Sequence, residues 1–209
     1  LETLATAVAA EPHWPLVDEI TTAMASAPSP VHPELKAFAE LLAAGPLRQQ
    51  LEEICGAPLG GLLLRSYVYL PGASLLPHAD YRRGLGRALA LIIYLRADPA
   101  GGGELLLYPP SDGDGPTDEA TQPAAFIKAK PGRMVVMQVG PDSVHEVAEV
   151  TAGARVSLAG WFYTPGVDPL GTAAQPPPTP AHTLTSLSAP RLVSEELCDA
   201  AREATANQT

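Results

Sequence analysis

Arg155-Val156-Ser157-Leu158-Ala159-Gly160-Trp161-Phe162 alternates as the residues of a β-strand do. Because side chains on a strand point to opposite faces in turn, Arg155, Ser157 and Trp161 share one face. An arginine in an otherwise apolar strand has to meet an anion or reach solvent, since an unpaired buried charge is costly. The stretch therefore predicts a core strand that carries either a ligand-binding cation or an edge arginine paired with a local acid.

The segments before this strand divide the chain into a helical and a β-rich part. In the first sixty residues, apolar side chains recur at helical spacing, which predicts helices at residues 15–24, 33–42 and 47–55. Short segments rich in β-forming residues then follow, bounded by Pro, Gly or Asp. These predicted strands are residues 62–70, 87–95, 104–108, 126–128, 134–139, 144–150 and 155–163. Helices followed by short antiparallel strands predict an α+β, mainly β fold of the jelly-roll, cupin-like type.

Four segments follow from this division. We expect residues 1–60 to be a helical lead-in packed on the core and residues 61–165 to be the jelly-roll core. Residues 166–190 contain Pro176-Pro177-Pro178 and predict an extended Pro-rich linker. Residues 191–209 predict a short C-terminal helix or tail that opens at Ser194.

The composition narrows the classes of partner. The 209 residues carry a formal net charge of −10, which argues against nucleic acid, because phosphate binding needs Lys and Arg, and favours a basic protein or peptide. Two distant cysteines form no disulfide framework and favour a reducing compartment, so we expect a cytoplasmic or nuclear protein. The apolar runs are too short to span a membrane. The chain begins at Leu1, and we expect that residues of the natural N-terminus are missing.

The short motif His78-Ala79-Asp80 is a candidate metal site. Residues at positions i and i+2 of a strand point to the same face, so His78 and Asp80 can hold one ion from one side, and His145 can supply the third ligand. Two imidazoles and one carboxylate on one face of a metal are the facial triad of non-haem Fe(II) oxygenases, which leaves the opposite positions open. Taken singly, each histidine is more often a surface or core residue. Arg155 follows His145 by ten residues and offers a planar cationic fork for a carboxylate.

Two tyrosines are candidates for helping that arginine. Tyr94 lies on the same strand face as Ala90 and Ile92, and a phenol inside a barrel needs a hydrogen-bond partner. A carboxylate oxygen of a bound acid would serve, jointly with Arg155; the alternative is a hydroxyl group at the rim. Tyr69, on the preceding strand, is a second candidate for the same role.

Five segments resemble the 2-oxoglutarate/Fe(II)-dependent oxygenases of the prolyl hydroxylase branch, and most closely the ribosomal prolyl hydroxylases. They are Leu75–Asp80, Leu91–Leu95, Gly102–Pro109, Val144–Val147 and Arg155–Phe162. The Gly160-Trp161-Phe162 ending is the feature most specific to that subgroup. The resemblance covers roughly residues 33–165.

The resemblance implies a fold, a cofactor set and an activity. The fold is a double-stranded β-helix. Fe(II) would be bound by His78, Asp80 and His145, while the distal carboxylate of 2-oxoglutarate would be bound by Arg155 with Tyr94. The activity is oxidative decarboxylation of 2-oxoglutarate coupled to hydroxylation of a prolyl residue, with ascorbate as a possible reductant. The most similar members act on a basic small-subunit ribosomal protein at the decoding centre, so we expect a protein or peptide substrate of that kind.

Three other functions remain open at this point. A nucleic-acid demethylase shares the triad, but that family has a second arginine where this chain has Trp161. An oxygenase of a free amino acid or small metabolite is compatible with the triad. The third alternative is a non-catalytic jelly-roll binding module. Failure of the protein to bind iron would favour this alternative. Relatives often carry a second, degenerate β-helix domain after the linker, which we expect to be either absent or removed here.

Overall fold

The computed structural model describes residues 1–98, 101–110 and 122–170. Within these ranges the chain forms helices and strands in an order that begins with one helix and one hairpin, continues with two helices and ends in strands. The helices are α1 (Glu2–Ala10), α2 (Pro33–Ala44) and α3 (Pro46–Cys55). The strands are β1 (Trp14–Val17), β2 (Thr21–Ala25), β3 (Leu62–Tyr69), β4 (Ser74–His78), β5 (Arg87–Arg96), β6 (Leu105–Leu107), β7 (Ala125–Ile127), β8 (Met134–Gln138), β9 (His145–Val147) and β10 (Arg155–Tyr163).

All the strands join one antiparallel sheet. The order is β7-β6-β9-β4-β2-β3-β10-β5-β8, with β1 paired to β2. This curled sheet confirms the predicted mainly β, jelly-roll class, and the predicted strands at residues 62–70, 87–95 and 155–163 are confirmed with small changes at their ends. β10 lies between β3 and β5, so its backbone is hydrogen-bonded to a neighbouring strand at both edges.

The two faces of this sheet pack in different clusters. On β5 the alternate residues Leu91, Ile93 and Leu95 pack with the helices in one apolar core. The intervening residues Ile92 and Tyr94 belong to a second cluster on the other face, with Tyr69, Leu105 and Val147. The helices therefore cover one face of the sheet, and the candidate site residues lie on the other.

The predicted helices α2 and α3 are confirmed. Both begin with proline at the first helical position, where the missing N–H costs nothing. Gly45 separates them, and Gly56, with a φ of 68°, ends α3 in the left-handed conformation that glycine adopts easily. Leu35, Leu42 and Leu51 are the buried anchors of these helices in the core under the sheet.

The predicted helix at residues 15–24 is wrong, so the lead-in at residues 1–60 is only in part helical. These residues form the β1–β2 hairpin. The Asp18 carboxylate accepts the backbone N–H groups of Ile20 and Thr21, a local turn that competes with helix formation. The β2 residues alternate between buried and exposed, which is a strand pattern.

The remaining segment predictions fall largely beyond the described ranges. Of the polar stretch at residues 109–123, the part at 111–121 lies outside them. Only residues 166–170 of the predicted linker are described, and the predicted C-terminal helix or tail at 191–209 lies wholly outside. Within the described ranges, the structure has no helix long and apolar enough to cross a membrane.

Candidate active site

Three potential metal-ligating side chains converge on the face of the sheet opposite the helices. His78 ends β4 and pairs directly with His145 at the start of β9, and Asp80 follows β4 by two residues. Their ligating atoms all lie within 4.8 Å of one another. The Nε2 atom of His78 is 3.7 Å from Oδ1 of Asp80, and the Nε2 atom of His145 is 3.8 Å from Oδ2. The structure thus brings together the residues that the sequence pattern selected.

Backbone hydrogen bonds fix the orientation of both imidazoles. Nδ1 of His78 lies 3.0 Å from the carbonyl oxygen of Leu76, and Nδ1 of His145 lies 3.0 Å from that of Ser143. A carbonyl oxygen only accepts, so Nδ1 carries the hydrogen in each ring. In the neutral imidazole, Nε2 then holds the free lone pair, and it is Nε2 that faces Asp80. This is the second-sphere arrangement that orients histidines on a metal.

Burial and mutual contacts set the ionisation of the group. Burial favours the neutral form of Asp80, but its contacts with His78 and His145 outweigh this effect and hold the pKa of the carboxyl below its usual range. The Trp161 indole N–H also lowers that pKa, although it does not reach hydrogen-bonding geometry. Burial lowers the pKa of His145, partly opposed by the Asp80 charge. A carboxylate beside neutral imidazole is the protonation state that a metal requires.

Arg155 lies in the same cavity, which encloses about 180 Å³. Its side chain is only 3% exposed, and its guanidinium stands 4.8 Å from the Tyr69 ring centre and 5.0 Å from that of Tyr94. Its Nε has no hydrogen-bond partner, and no carboxylate among the described residues pairs with it. A buried cation that lies over aromatic rings and has no anionic partner is suited to bind an anionic ligand.

The two tyrosines differ in their relation to this cavity. Tyr69 lines it, and burial raises the pKa of its phenol to about 12, so the hydroxyl remains protonated. Tyr94 is fully buried beside Arg155, and its hydroxyl lacks a hydrogen-bond partner, but Tyr94 is not among the residues that line the cavity. Its assignment to cosubstrate binding therefore stays a prediction.

Sequence reasoning missed two residues at the site. Ser157 lines the cavity two residues after Arg155, and its buried hydroxyl has no hydrogen-bond partner. Its place on the same strand face as Arg155 was the available signal. Arg87 also lines the cavity, where its guanidinium reaches Asp80 and stacks on Trp161.

The β1–β2 hairpin forms one wall of this cavity. Leu16, Ile20 and Thr21 line it together with the converging residues. The exposed residue Arg82 also lines the cavity, so the cavity opens to solvent. Although slight burial opposes ionisation of Asp18, the N–H groups of its turn and the nearby His78 hold its pKa below the usual range. The hairpin mispredicted as a helix is thus part of the site.

These residues fit an iron and a 2-oxo acid. Two Nε2 atoms and one carboxylate face a common point from one side, which is the donor set of a facial triad. The unpaired Arg155 in the same cavity supplies the charge that a dicarboxylate needs.

Comparison with known proteins finds similarity to one oxygenase superfamily. A model of the 2OG-Fe(II) oxygenase superfamily matches residues 64–163, which include the converging residues and Arg155. Over 111 residues the chain is 36% identical to the mouse (Mus musculus) protein prolyl 3-hydroxylase OGFOD1. That alignment covers 50% of this chain and 19% of OGFOD1, so the chain spans about a fifth of the relative's length.

Solved structures share the fold. A prolyl-4-hydroxylase from Pseudomonas putida superposes with a TM-score of 0.56 at 21% identity, covering 72% of this chain and 76% of that one. A prolyl hydroxylase from Trichoplax adhaerens, solved with a hypoxia-inducible-factor peptide fragment, gives a TM-score of 0.57 at 17% identity over 77% and 78%. A 2OG-Fe(II) oxygenase family protein from Burkholderia pseudomallei gives 0.59 at 18% over 78% and 77%.

Proposed function

We infer that this chain, whose residues 64–163 are a 2OG-Fe(II) oxygenase superfamily domain, is a dioxygenase that hydroxylates a prolyl residue in a protein. The observation that carries this proposal is the convergence of His78, Asp80 and His145 in the cavity that also holds the unpaired Arg155. The similarity to a prolyl 3-hydroxylase supports the choice of a prolyl target.

His78, Asp80 and His145 would hold Fe(II), and Arg155 would bind the distal carboxylate of 2-oxoglutarate. When bound, the iron and 2-oxoglutarate use O2 to convert a substrate C–H into C–OH, while 2-oxoglutarate is converted into succinate and CO2. Atoms balance in this reaction, because one oxygen atom enters succinate and the other enters the product. Ascorbate belongs to the proposal as a reductant that keeps the iron ferrous.

The residues of this chain supply orientation and shielding. The carbonyl groups of Leu76 and Ser143 keep both Nε2 lone pairs directed at the ion. The lowered pKa of Asp80 keeps its carboxylate ionised at neutral pH. The apolar walls formed by Leu75, Leu105 and Val147 exclude water around the reacting groups, which strengthens the electrostatic hold of Arg155.

The proposed substrate is a basic protein, and the decoding-centre protein of the small ribosomal subunit is the specific candidate. The cavity opens to solvent, which suits a segment of a larger molecule. The net charge of −10 suits a basic partner and disfavours nucleic acid. A cytoplasmic or nuclear location, where ribosomal proteins are made and assembled, is part of the same proposal.

The test is mass spectrometry of a peptide panel incubated with the protein, Fe(II), 2-oxoglutarate and ascorbate. The panel contains prolyl peptides from the decoding-centre protein, the same peptides with proline replaced by alanine, free proline and methylated oligonucleotides. We expect a gain of one oxygen on the proline-containing peptides alone, with stoichiometric succinate. Turnover of free proline or of the oligonucleotides, with no prolyl peptide modified, would contradict the substrate assignment.

A further inference from the structure

Arg87 touches two other parts of the site at once. Its guanidinium carbon lies 3.6 Å from the centre of the Trp161 ring. Its Nη1 lies 3.3 Å from the backbone carbonyl oxygen of Asp80 and 3.5 Å from Oδ1 of the same residue. β5, β10 and the segment after β4 are therefore joined through one side chain next to a proposed iron ligand.

A break in strand register directs Arg87 to this place. Phe162 pairs with Leu89, but the next residue, Tyr163, pairs with Arg87, which leaves Ala88 as an extra residue on β5. By simple alternation Arg87 would share the helix-side face of Leu89. The bulge reverses this, because Ala88 packs against the helix-side core and Arg87 lines the cavity. Bulges beside active sites commonly re-aim a side chain in this way.

The orientation of Asp80 is less restrained by the backbone than that of His78 and His145. His78 and His145 lie on paired strands and have their rings fixed by backbone carbonyl groups. Asp80 lies beyond the end of β4, and its carboxylate has no backbone N–H donor among the described residues. The Arg87 guanidinium stacked on Trp161 is planar and restrained, so it can fix the rotation of the carboxylate.

We propose that Arg87 is a positioning residue, which with Trp161 holds the Asp80 carboxylate in the orientation that binds the metal. This inference rests on the proposed iron site and adds a residue outside the ligand set. Nη1 of Arg87 contacts Oδ1, which also lies 3.7 Å from Nε2 of His78, while Oδ2 faces His145. The carboxylate is thereby presented as a fixed ligand.

Charge alone would act in the opposite direction, so the two effects can be separated. A cation near a metal site repels the metal, and its removal should tighten metal binding. Orientation depends on the planar guanidinium, which stacks on Trp161 while its Nη1 contacts Asp80, and lysine retains only the charge. Arg87→Lys is therefore the decisive variant, and Arg87→Met reports the added effect of removing the charge.

The experiment is a titration of the metal-free protein with Co(II), followed by visible absorption and by calorimetry. Disruption of contacts to metal ligands usually weakens metal binding by roughly 10–100-fold. We expect a loss of that size in Arg87→Lys, with altered visible bands from a changed ligand field. Trp161→Leu, which removes the stacking surface together with the indole N–H near Asp80, should shift affinity and spectrum in the same direction.

Arg65→Lys is the matched control. Arg65 also stands over an aromatic ring, that of Tyr67 at 5.4 Å, and also binds a backbone carbonyl, that of Ser26, but it contacts no proposed ligand. It should bind Co(II) as the unchanged protein does, and circular dichroism establishes that each variant is folded.

The outcomes distinguish this inference from the proposed function. Absence of Co(II) binding by the unchanged protein would overturn the iron site and this inference with it. Wild-type affinity and spectrum in both Arg87→Lys and Trp161→Leu would overturn the positioning role and leave the iron site intact. Tighter binding in Arg87→Met together with unchanged binding in Arg87→Lys would show that Arg87 acts through charge alone.

Discussion

Arg155 is the residue that most clearly requires a ligand. Its guanidinium is buried, lies between two tyrosine rings and has no carboxylate partner among the described residues. Leaving a charge in this state costs several kcal/mol, so such an arrangement is kept where an anion completes it. The buried hydroxyls of Ser157, which also lines the cavity, and of Tyr94, which lies beside Arg155, lack hydrogen-bond partners as well.

Replacement of Arg155 tests this point. We expect Arg155→Ala to abolish 2-oxoglutarate turnover while Co(II) binding survives, because the arginine contacts none of the proposed metal ligands. Arg155→Lys should lose most of the activity, since lysine cannot make the two-pronged contact. Succinate release and calorimetric binding of 2-oxoglutarate are the measurements. Full decarboxylation by Arg155→Ala would show that the cosubstrate is bound elsewhere.

We expect His13 to give the stability of the protein a pH dependence that is separate from the proposed iron site. Its Nδ1 donates to the Glu11 carbonyl and its Nε2 accepts from the Ser66 hydroxyl, each at 2.9 Å. Burial lowers the pKa of His13 below that of a free imidazole, with opposing effects from Glu11. The folded protein therefore resists protonation of this ring, whereas the unfolded chain accepts a proton near pH 6.5.

The sign of this dependence follows from linkage. The His13 contribution is complete above about pH 6.5 and is lost as the pH falls through the lowered pKa of the folded state. Each unit of pKa difference corresponds to about 1.4 kcal/mol. Between pH 7.5 and pH 5, the free energy of unfolding should fall less in His13→Gln than in the unchanged protein. Urea titrations at both pH values measure it, and an equal fall in both proteins would contradict the assignment.

Among the elements, the central strands could be predicted well and the first hairpin could not. β3, β5 and β10 are long, apolar and bounded by turns, so their pattern admits one interpretation. Residues 14–25 contain apolar side chains whose spacing fits either a helix or two short strands. The turn at Asp18 and the pairing of β2 with β3 and β4 stabilise the strand conformation. That pairing joins residues far apart in the sequence, so local spacing does not predict it.

The candidate site could be predicted as far as it depends on strand alternation. The i, i+2 spacing of His78 and Asp80 predicts a shared face, and alternation along the last strand predicts that Arg155 shares a face with Ser157. Arg87 could not be found in this way, because its alternation with Leu89 predicts the other face. Only the bulge at Ala88, set by pairing with β10, brings it to Asp80.

Gly160 is the point where β10 is most tightly fitted into the sheet. A Cβ atom at this position would lie 1.9 Å from the backbone carbonyl oxygen of Leu63 on β3. Gly160→Ala should therefore separate β3 from β10 and lower the free energy of unfolding by about 1–3 kcal/mol or more. Gly140→Ala is the matched control, since its Cβ would meet nothing within 4 Å. Denaturant unfolding compares the two, and equal stability would contradict the close approach.

For the whole molecule, acidic residues outnumber basic ones. The chain has 13 basic and 23 acidic residues, which gives the net charge of −10. Charges of both signs occur at or near the cavity, because exposed Arg82 lines it and exposed Asp18 lies in the turn of the hairpin that forms one wall. Attraction of the proposed basic substrate would therefore come from the net negative charge of the whole chain, which acts over long distances.

A long-range field of this kind predicts a specific salt dependence. The Debye length falls from about 10 Å at 0.1 M salt to about 3 Å at 1 M, so attraction between distant charges is lost over this range. We expect the KM for a basic prolyl peptide to rise several-fold between these salt concentrations, mainly through slower association, while kcat changes little. The same peptide with its Lys and Arg residues replaced by Gln is the control and should show a flat KM. Equal salt sensitivity of the two peptides would mean that the acidic surface does not guide the substrate, and it would remove the main physical support for a basic protein as the partner.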